Sequence, residues 1–302
     1  SGQSRPFSAA ADGLIPAEGA GFVVLKRLKT AQRDGDKIFG VIRGIGLSND
    51  GRGRGLLVPS EEGQIRAMEA AYLESGISPL DVQYIECHAT GTTVGDGTEL
   101  KSMSKVFQNQ KIIGSLKGNM GHAITVAGVA GLIKVLEAMR HQTLPPQPLI
   151  EKENEVLRAS KFSVLTEAME WKGRQLAAVS AFGFGGNNAH LLVESNGQKR
   201  LYPETRILKT PIAIVGMNCA IGSAANREQV WQALKDNVAL KGAFGDISFD
   251  LSWIKFPPND LKQNLPQQNI LLSLSKDAVE EVKKLENTGV WVGMGTDPEV
   301  CR

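Results

Sequence analysis

This sequence predicts an α/β fold built on a layered sheet. Three observations carry that expectation: short β-branched runs alternate with stretches of helical periodicity, glycine clusters stand where the runs end, and proline-rich punctuation separates the units. The balance of 42% hydrophobic and 22% charged residues belongs to ordinary globular proteins and excludes disordered and fibrous classes. Glycine reaches 33 of 302 residues without a fixed period, so its clusters mark tight turns rather than repeats.

Residues 22–28 (FVVLKRL) form an apolar run closed by basic residues, and 41–47 (VIRGIGL) alternates as a strand does, with a polar turn over 29–37 between them. After a glycine- and arginine-rich loop at 49–59, Ser60 is a natural N-cap, with Gln64 in the next turn. Ile65, Met68, Ala71 and Tyr72 then recur at helical spacing until Ser75-Gly76 stops the helix. The run 82–87 (VQYIEC) predicts a strand ending in His88-Ala-Thr-Gly-Thr, after which Asp96 or Thr98 is positioned to cap a helix through Phe107.

A short strand at 112–115 leads into KGNMGH, and that turn opens a helix expected over 123–140. Small residues crowd this helix, and each glycine costs about 1 kcal/mol relative to alanine, so close packing on another helix is the expected compensation. LPPQP at 144–148 ends the unit, and strands are expected at 177–180 and 191–194 around FGFGGNNAH. Residues 197–210 read as a linker between a first unit (1–196) and a second (211–302). The second has a strand at 211–217, a helix at 227–235, a proline- and glutamine-rich loop, a helix at 270–285 and a strand at 289–293.

Charge is balanced in both units, 21 basic against 20 acidic residues in 1–196 and 13 against 12 in 197–302, so neither has the one-sided basic excess of a nucleic-acid binder. No apolar run approaches the ~18 residues of a membrane span, and SGQSRPFSAA has no signal-peptide core. A cytoplasmic protein is expected. Cys87, Cys219 and Cys301 are too scattered for a disulfide framework or a metal site, and reduced thiols are the expectation.

Chemistry concentrates at strand-to-loop junctions, where open α/β sheets gather their functional groups. His88 in ECHATGT and His122 in KGNMGH both occupy such positions, and an imidazole there can move a proton or hydrogen-bond a developing oxyanion. A helix starting directly after His122 would point its positive end at the same spot, and Lys117 would add to that field. The loop Gly183-Phe184-Gly185-Gly186 is able to present backbone N–H donors, although it matches no phosphate-binding fingerprint. His190 lies within a strand and reads as a core residue; His141 reads as a solvated cap; Cys87 points away from His88 because strand neighbours face opposite sides.

PFSAAADGLIPAEGAGFVVLKRL, ECHATGTTVGDGTEL, SLKGNMGHAITVAGVAGLIKVLEAM and AVSAFGFGGNNAHLLVE resemble, in order and spacing, the carboxyl-terminal half of the β-ketoacyl synthases of fatty-acid and polyketide synthases. PIAIVGMNCAIG, VWQAL and TGVWVGMGTDPEV resemble the start of a second ketosynthase-like or chain-length-factor domain, as in polyunsaturated fatty acid synthases. The resemblance implies a thiolase-like fold of αβαβα layers, present as a C-terminal lobe plus a partial second copy. It implies decarboxylative Claisen condensation of acyl and malonyl thioesters, with the phosphopantetheine arm of an acyl carrier protein as substrate carrier and no resident metal or nucleotide.

By the same resemblance, His88 and His122 are the two catalytic histidines and Lys117 is the lysine that precedes the second. Thr90 and Thr92 would bind the pantetheine arm, and Phe184, with Gly183, Gly185 and Gly186, would gate the pocket and supply the oxyanion hole. The family's nucleophilic cysteine lies upstream of the segment matching Ser1, so the chain by itself is expected to be inactive. Gly131 stands where housekeeping fatty-acid ketosynthases carry a glutamate. Other synthase domains, and a homodimer or a ketosynthase/chain-length-factor pair, are the implied partners. The alternative is a non-catalytic chain-length-factor-like or scaffold module; thiolases fit less well, since no second cysteine stands near the glycine loop.

Overall fold

The first two apolar runs become β1 (Gly19–Arg27) and β2 (Gly40–Asn49). Leu28, expected to close the first strand, instead opens a short helix, α1 (Leu28–Asp34), in the region read as a turn. The computed structural model describes residues 2–51, 58–148, 150–183, 185–196, 212–240, 266–280, 282–284 and 288–293. Ser60 caps α2 (Glu61–Ser75) as expected, its hydroxyl accepting the Gly63 N–H at 3.2 Å.

β3 (Tyr84–Glu86) is followed by α3 (Thr93–Val106). The cap of α3 is Thr92, whose Oγ1 accepts the Gly95 N–H at 3.2 Å, rather than Asp96 or Thr98. Asp96 is unavailable for capping because its carboxylate is buried against the preceding loop.

β4 (Lys111–Gly114) leads to α4 (Lys117–Met120) and then to α5 (Ala127–Arg140). The helix expected from residue 123 thus begins at Ala127, after a 3-10 turn over Ile124–Val126 in which Ile124 has φ of 47°. His122 Nδ1 accepts the Ile124 N–H at 2.9 Å, a local side-chain bond that competes with the helical conformation. The remaining elements among the described residues are β5 (Thr143–Leu144), α6 (Glu155–Arg158), β6 (Phe162–Ser163), β7 (Met169–Glu170), β8 (Leu176–Phe182), β9 (Asn187–Glu194), β10 (Ile212–Ile221), α7 (Arg227–Lys235), α8 (Pro266–Glu280) and β11 (Thr288–Gly293).

Among the described residues, nine strands form one mixed sheet in the order β11-β1-β10-β2-β9-β8-β3-β4-β6. β8, β3, β4 and β6 run parallel, and the pairs from β9 to β11 are antiparallel. The expected linker at 197–210 lies outside the described residues, and β10 and β11, which come from the segment after it, flank β1 on both sides. β10 pairs with β1 from Gly19↔Ile221 to Arg27↔Ile212 and touches β2 on its other edge.

Side-chain alternation on β8 separates the two faces: Ala177 and Val179 join the core under α5, while Leu176 and Ala178 join the core under α2 and α3. α8 covers Phe22, Val24, Ala213 and Val215 through Ala278. Helices therefore lie on both faces of the sheet. The small residues of α5 are compensated by the sheet and not by a second helix: a Cβ at Gly128 would meet Ala181 Cβ at 3.5 Å, and one at Gly131 would meet Glu86 Cγ at 3.1 Å.

Candidate active site

His88 sits in the turn that leaves β3, and two carboxylates of α3 hold that turn. Glu99 Oε1 accepts the His88 N–H at 2.8 Å and Oε2 accepts the Ala89 N–H at 2.7 Å. Asp96 Oδ1 accepts from Thr90 and Gly91 at 2.9 and 3.1 Å, while its Oδ2 accepts the Phe7 N–H at 2.8 Å. Ser115 donates to the Ala89 carbonyl at 2.8 Å from the opposite side. Burial pushes Asp96 up to about 6 and Glu99 up to about 7, against the backbone N–H bonds that favour their ionised forms. Glu99 has no role in the sequence reading and Asp96 only a capping role. Their i, i+3 spacing at the head of a helix, directly after a glycine turn, is the one sequence signal that points to them.

His122 follows α4, and the structure brings it against His88. The two rings meet edge to face with centroids 5.3 Å apart, and Phe182 stands 6.1 Å from His88 on its other side. Because His122 Nδ1 accepts the Ile124 N–H, the proton of the neutral ring resides on Nε2. Desolvation holds His122 at about 4 and His88 well below its ordinary value, and the Lys117 charge lowers both further. Both imidazoles are therefore neutral near pH 7, which makes them hydrogen-bond donors rather than acids.

Lys117 is buried and donates to the Cys87 carbonyl at 3.4 Å. Burial pulls its ammonium below the usual lysine range, with Glu86 and Glu99 opposing that shift. The positive end of α5 is not at His122, contrary to expectation, because the helix starts at Ala127.

Thr90 and Thr92 share a hydroxyl–hydroxyl bond of 3.1 Å beside the His88 turn. In the glycine loop, the Gly183 N–H is used by Asn187 O at 2.8 Å and the Gly186 N–H by Gly183 O at 3.2 Å, so these two expected oxyanion donors are occupied within the loop itself. The Gly185 carbonyl accepts from Asn49 at 3.2 Å. Phe184 lies outside the described residues, as does Cys301.

Cys87 Sγ is buried against Met103, and burial pushes its thiol well up; Cys219 is pushed up to about 12 by the same cause. Neither is a nucleophile. His190 is fully buried between Tyr72 and Ser180 at 3.1 and 3.0 Å and held at about 3, as a core histidine should be. His141, expected as a solvated cap, does end α5 but stacks on Trp231 at 4.5 Å. Among the described residues, no group of three or more His, Cys, Asp or Glu side chains is placed to hold a metal ion, and no helix is long and apolar enough to cross a membrane.

Three family profiles match: the β-ketoacyl synthase N-terminal domain over residues 1–31, its C-terminal domain over 39–151, and the ketoacyl-synthetase C-terminal extension over 151–241. The last match runs across the expected linker. A phenolphthiocerol/phthiocerol polyketide synthase subunit of Mycobacterium tuberculosis is 40% identical over 67% of this chain and 11% of its own length. A polyunsaturated fatty acid synthase subunit of Thraustochytrium sp. is 33% identical over 100% of this chain and 17% of its own. That second alignment extends over 351 positions, so the relative carries residues with no counterpart here. Among solved structures, the ketosynthase from module 6 of the bacillaene synthase of Bacillus subtilis covers 65% of this chain and 36% of its own, with 36% identity and a TM-score of 0.59. The PfaC keto synthase–chain length factor covers 78% of this chain and 26% of its own, with 34% identity and a TM-score of 0.60. The chain thus spans a small part of the length of its curated relatives.

Proposed function

The chain belongs to the β-ketoacyl synthase family, with the thiolase-like fold of its solved relatives, and on that premise we propose that it is the decarboxylating half of a condensing site in a multidomain polyketide or polyunsaturated fatty acid synthase. The observation that carries this reading is the pair of neutral imidazoles, His88 and His122, with rings 5.3 Å apart and the His122 proton held on Nε2.

In the proposed reaction the bond between the malonyl α-carbon and its carboxylate breaks and carbon dioxide leaves. The electron pair moves onto the thioester carbonyl, whose developing oxyanion accepts hydrogen bonds from the two imidazole N–H groups. The resulting carbanion attacks an acyl thioester on a cysteine outside this chain and expels the thiolate. The buried ammonium of Lys117 adds positive potential, and the two carboxylates of α3 keep the His88 turn rigid. Thr90 and Thr92 share one bond with each other and Thr92 Oγ1 also accepts the Gly95 N–H, but a hydroxyl has one donor and two acceptor sites, so the pair keeps a donor and acceptor capacity for the phosphopantetheine arm of a carrier protein. Phe184 and Gly185 are assigned to gating and the oxyanion hole by the family resemblance.

The segment beyond residue 210 is read as the opening of a second ketosynthase-like or chain-length-factor domain, after a linker at 197–210. The full-length match to the polyunsaturated fatty acid synthase subunit supports this, since the phthiocerol synthase match stops at 67% of the chain. A carrier protein, other synthase domains and a paired or homodimeric ketosynthase are the proposed partners, in the cytoplasm.

The test is carbon dioxide release from malonyl-carrier protein by the complete synthase. His88→Ala and His122→Ala should each lower it by about 10²- to 10³-fold while acylation of the upstream cysteine persists. Unchanged release in both variants would leave the scaffold reading in its place.

A further inference from the structure

Glu86 ends β3, two residues before His88, and its carboxylate is used on every side. Oε1 accepts the Leu116 N–H at 2.6 Å; Oε2 accepts from Lys134 Nζ at 2.7 Å and from the Tyr84 hydroxyl at 2.9 Å. Both members of the Glu86–Lys134 ion pair are almost wholly buried. Leu116 is the residue that opens α4, so its N–H stands at the head of the turn carrying Lys117 and His122. One carboxylate on β3 therefore ties down the second catalytic turn from the base of the first.

The space for that carboxylate is made by α5. Gly131 lies over it, and a Cβ there would come within 3.1 Å of Glu86 Cγ and 3.6 Å of Oε1. Lys134, one turn further along the same helix, supplies the counter-charge. A buried ion pair of this kind stands only while both members are present, since removal of one strands the other in a low-dielectric interior. The pair is also more than self-contained, because the buried Lys117 ammonium lies in its field. The electrostatic neighbours of Lys117 are Glu86 and Cys87 at the end of β3, Glu99 from α3 and Lys134 from α5, and its charge acts in turn on Asp96, His88 and His122. The anion of Glu86 acts on Lys117 more strongly than the cation of Lys134 does.

We propose that Glu86 is a positioning residue of this site, anchoring the head of the Lys117–His122 turn through the Leu116 N–H and so holding Lys117 and His122 in place. The consequence for decarboxylation rests on the function proposed above, whereas the anchoring of the turn does not.

The experiment follows the titration of Lys117 by NMR in this chain with isotope-labelled lysine, the signal being identified through Lys117→Arg. Glu86→Gln leaves Lys134 unpaired, so the double variant Glu86→Gln/Lys134→Met, which removes both charges, guards against simple unfolding. The Lys117 midpoint should fall in the single variant, where one nearby anion is lost, and by a smaller amount in the double variant, where a cation is lost with it. The Leu116 amide should exchange faster in both. An unchanged Lys117 midpoint and wild-type exchange at Leu116 in the folded double variant would overturn the proposal, because a purely structural ion pair predicts that result. In the complete synthase, the double variant should release carbon dioxide about tenfold more slowly, with the alkaline limb of its pH profile moved to lower pH. A moved titration with unchanged release would uphold the positioning role of Glu86 and refute the catalytic reading of the histidines, so the two failures are distinguishable.

Discussion

Replacing Glu99 with glutamine should flatten one part of the pH dependence of stability. Folded Glu99 holds its proton up to about pH 7, whereas the ordinary value is 4.5. The folded state therefore binds the extra proton between those limits, and stability falls as pH rises through the window. At 1.36 kcal/mol per unit, the buried charge removes about 3 kcal/mol by pH 7.5. Glutamine carries no such charge, but it has one oxygen for two backbone donors, His88 N–H and Ala89 N–H, and leaving one of them unmet costs about 1–3 kcal/mol. Near pH 5 the wild-type chain should accordingly be the more stable of the two. By pH 7.5 the gap should have moved by about 3 kcal/mol in favour of Glu99→Gln. His88, His122 and His190 titrate in the opposite sense, their depressed values making stability fall as pH drops below 6.5, but they do so in both proteins and cancel from the difference. Urea unfolding of the two chains at pH 5 and 7.5 measures the gap. Parallel curves, with a gap constant to within about 0.5 kcal/mol, would refute the argument.

Gly46→Ala should prevent folding or lower stability by several kcal/mol in a thermal melt, since the new Cβ would overlap the Ala67 carbonyl oxygen in the backbone of α2. Gly97→Ala in α3 should do the reverse and stabilise by up to about 1 kcal/mol, because its Cβ would meet only Val156 at 3.7 Å and helix propensity improves. Trp231→Ala should cost about 3–5 kcal/mol by urea unfolding, as Trp231 lies on the buried face of α7 and is stacked on His141. Residues 211–302 expressed alone should show no cooperative transition in calorimetry, because β10 has β1 on one edge and β2 on the other, both from the preceding segment.

Local chemistry was legible in the sequence wherever neighbours in the chain decide the structure. Ser60 at the head of an apolar periodicity could only cap a helix, and the motifs around His88 and His122 announced turns at strand ends because small residues follow short β-branched runs. Their order and spacing also sufficed to identify the family. Side chains whose roles depend on distant partners were not legible. Asp96 reads only as a candidate cap and Glu99 carries no signal of its own until burial against 88–91 turns both into acceptors for backbone N–H groups more than a helical turn away in sequence. The start of α5 moved to Ala127 because one imidazole nitrogen captured the Ile124 N–H, a choice that propensity does not register.

The segment beyond the linker shows the division most plainly. Its sequence alone determined a β-branched strand, a helix presenting Val230, Trp231 and Leu234, and too few strands for a sheet of its own. Where that strand went was a tertiary decision. An unpaired strand leaves a row of buried N–H and C=O groups that must find partners, and the open edges of β1 and β2 supply them, with nine residues of register that no local pattern encodes.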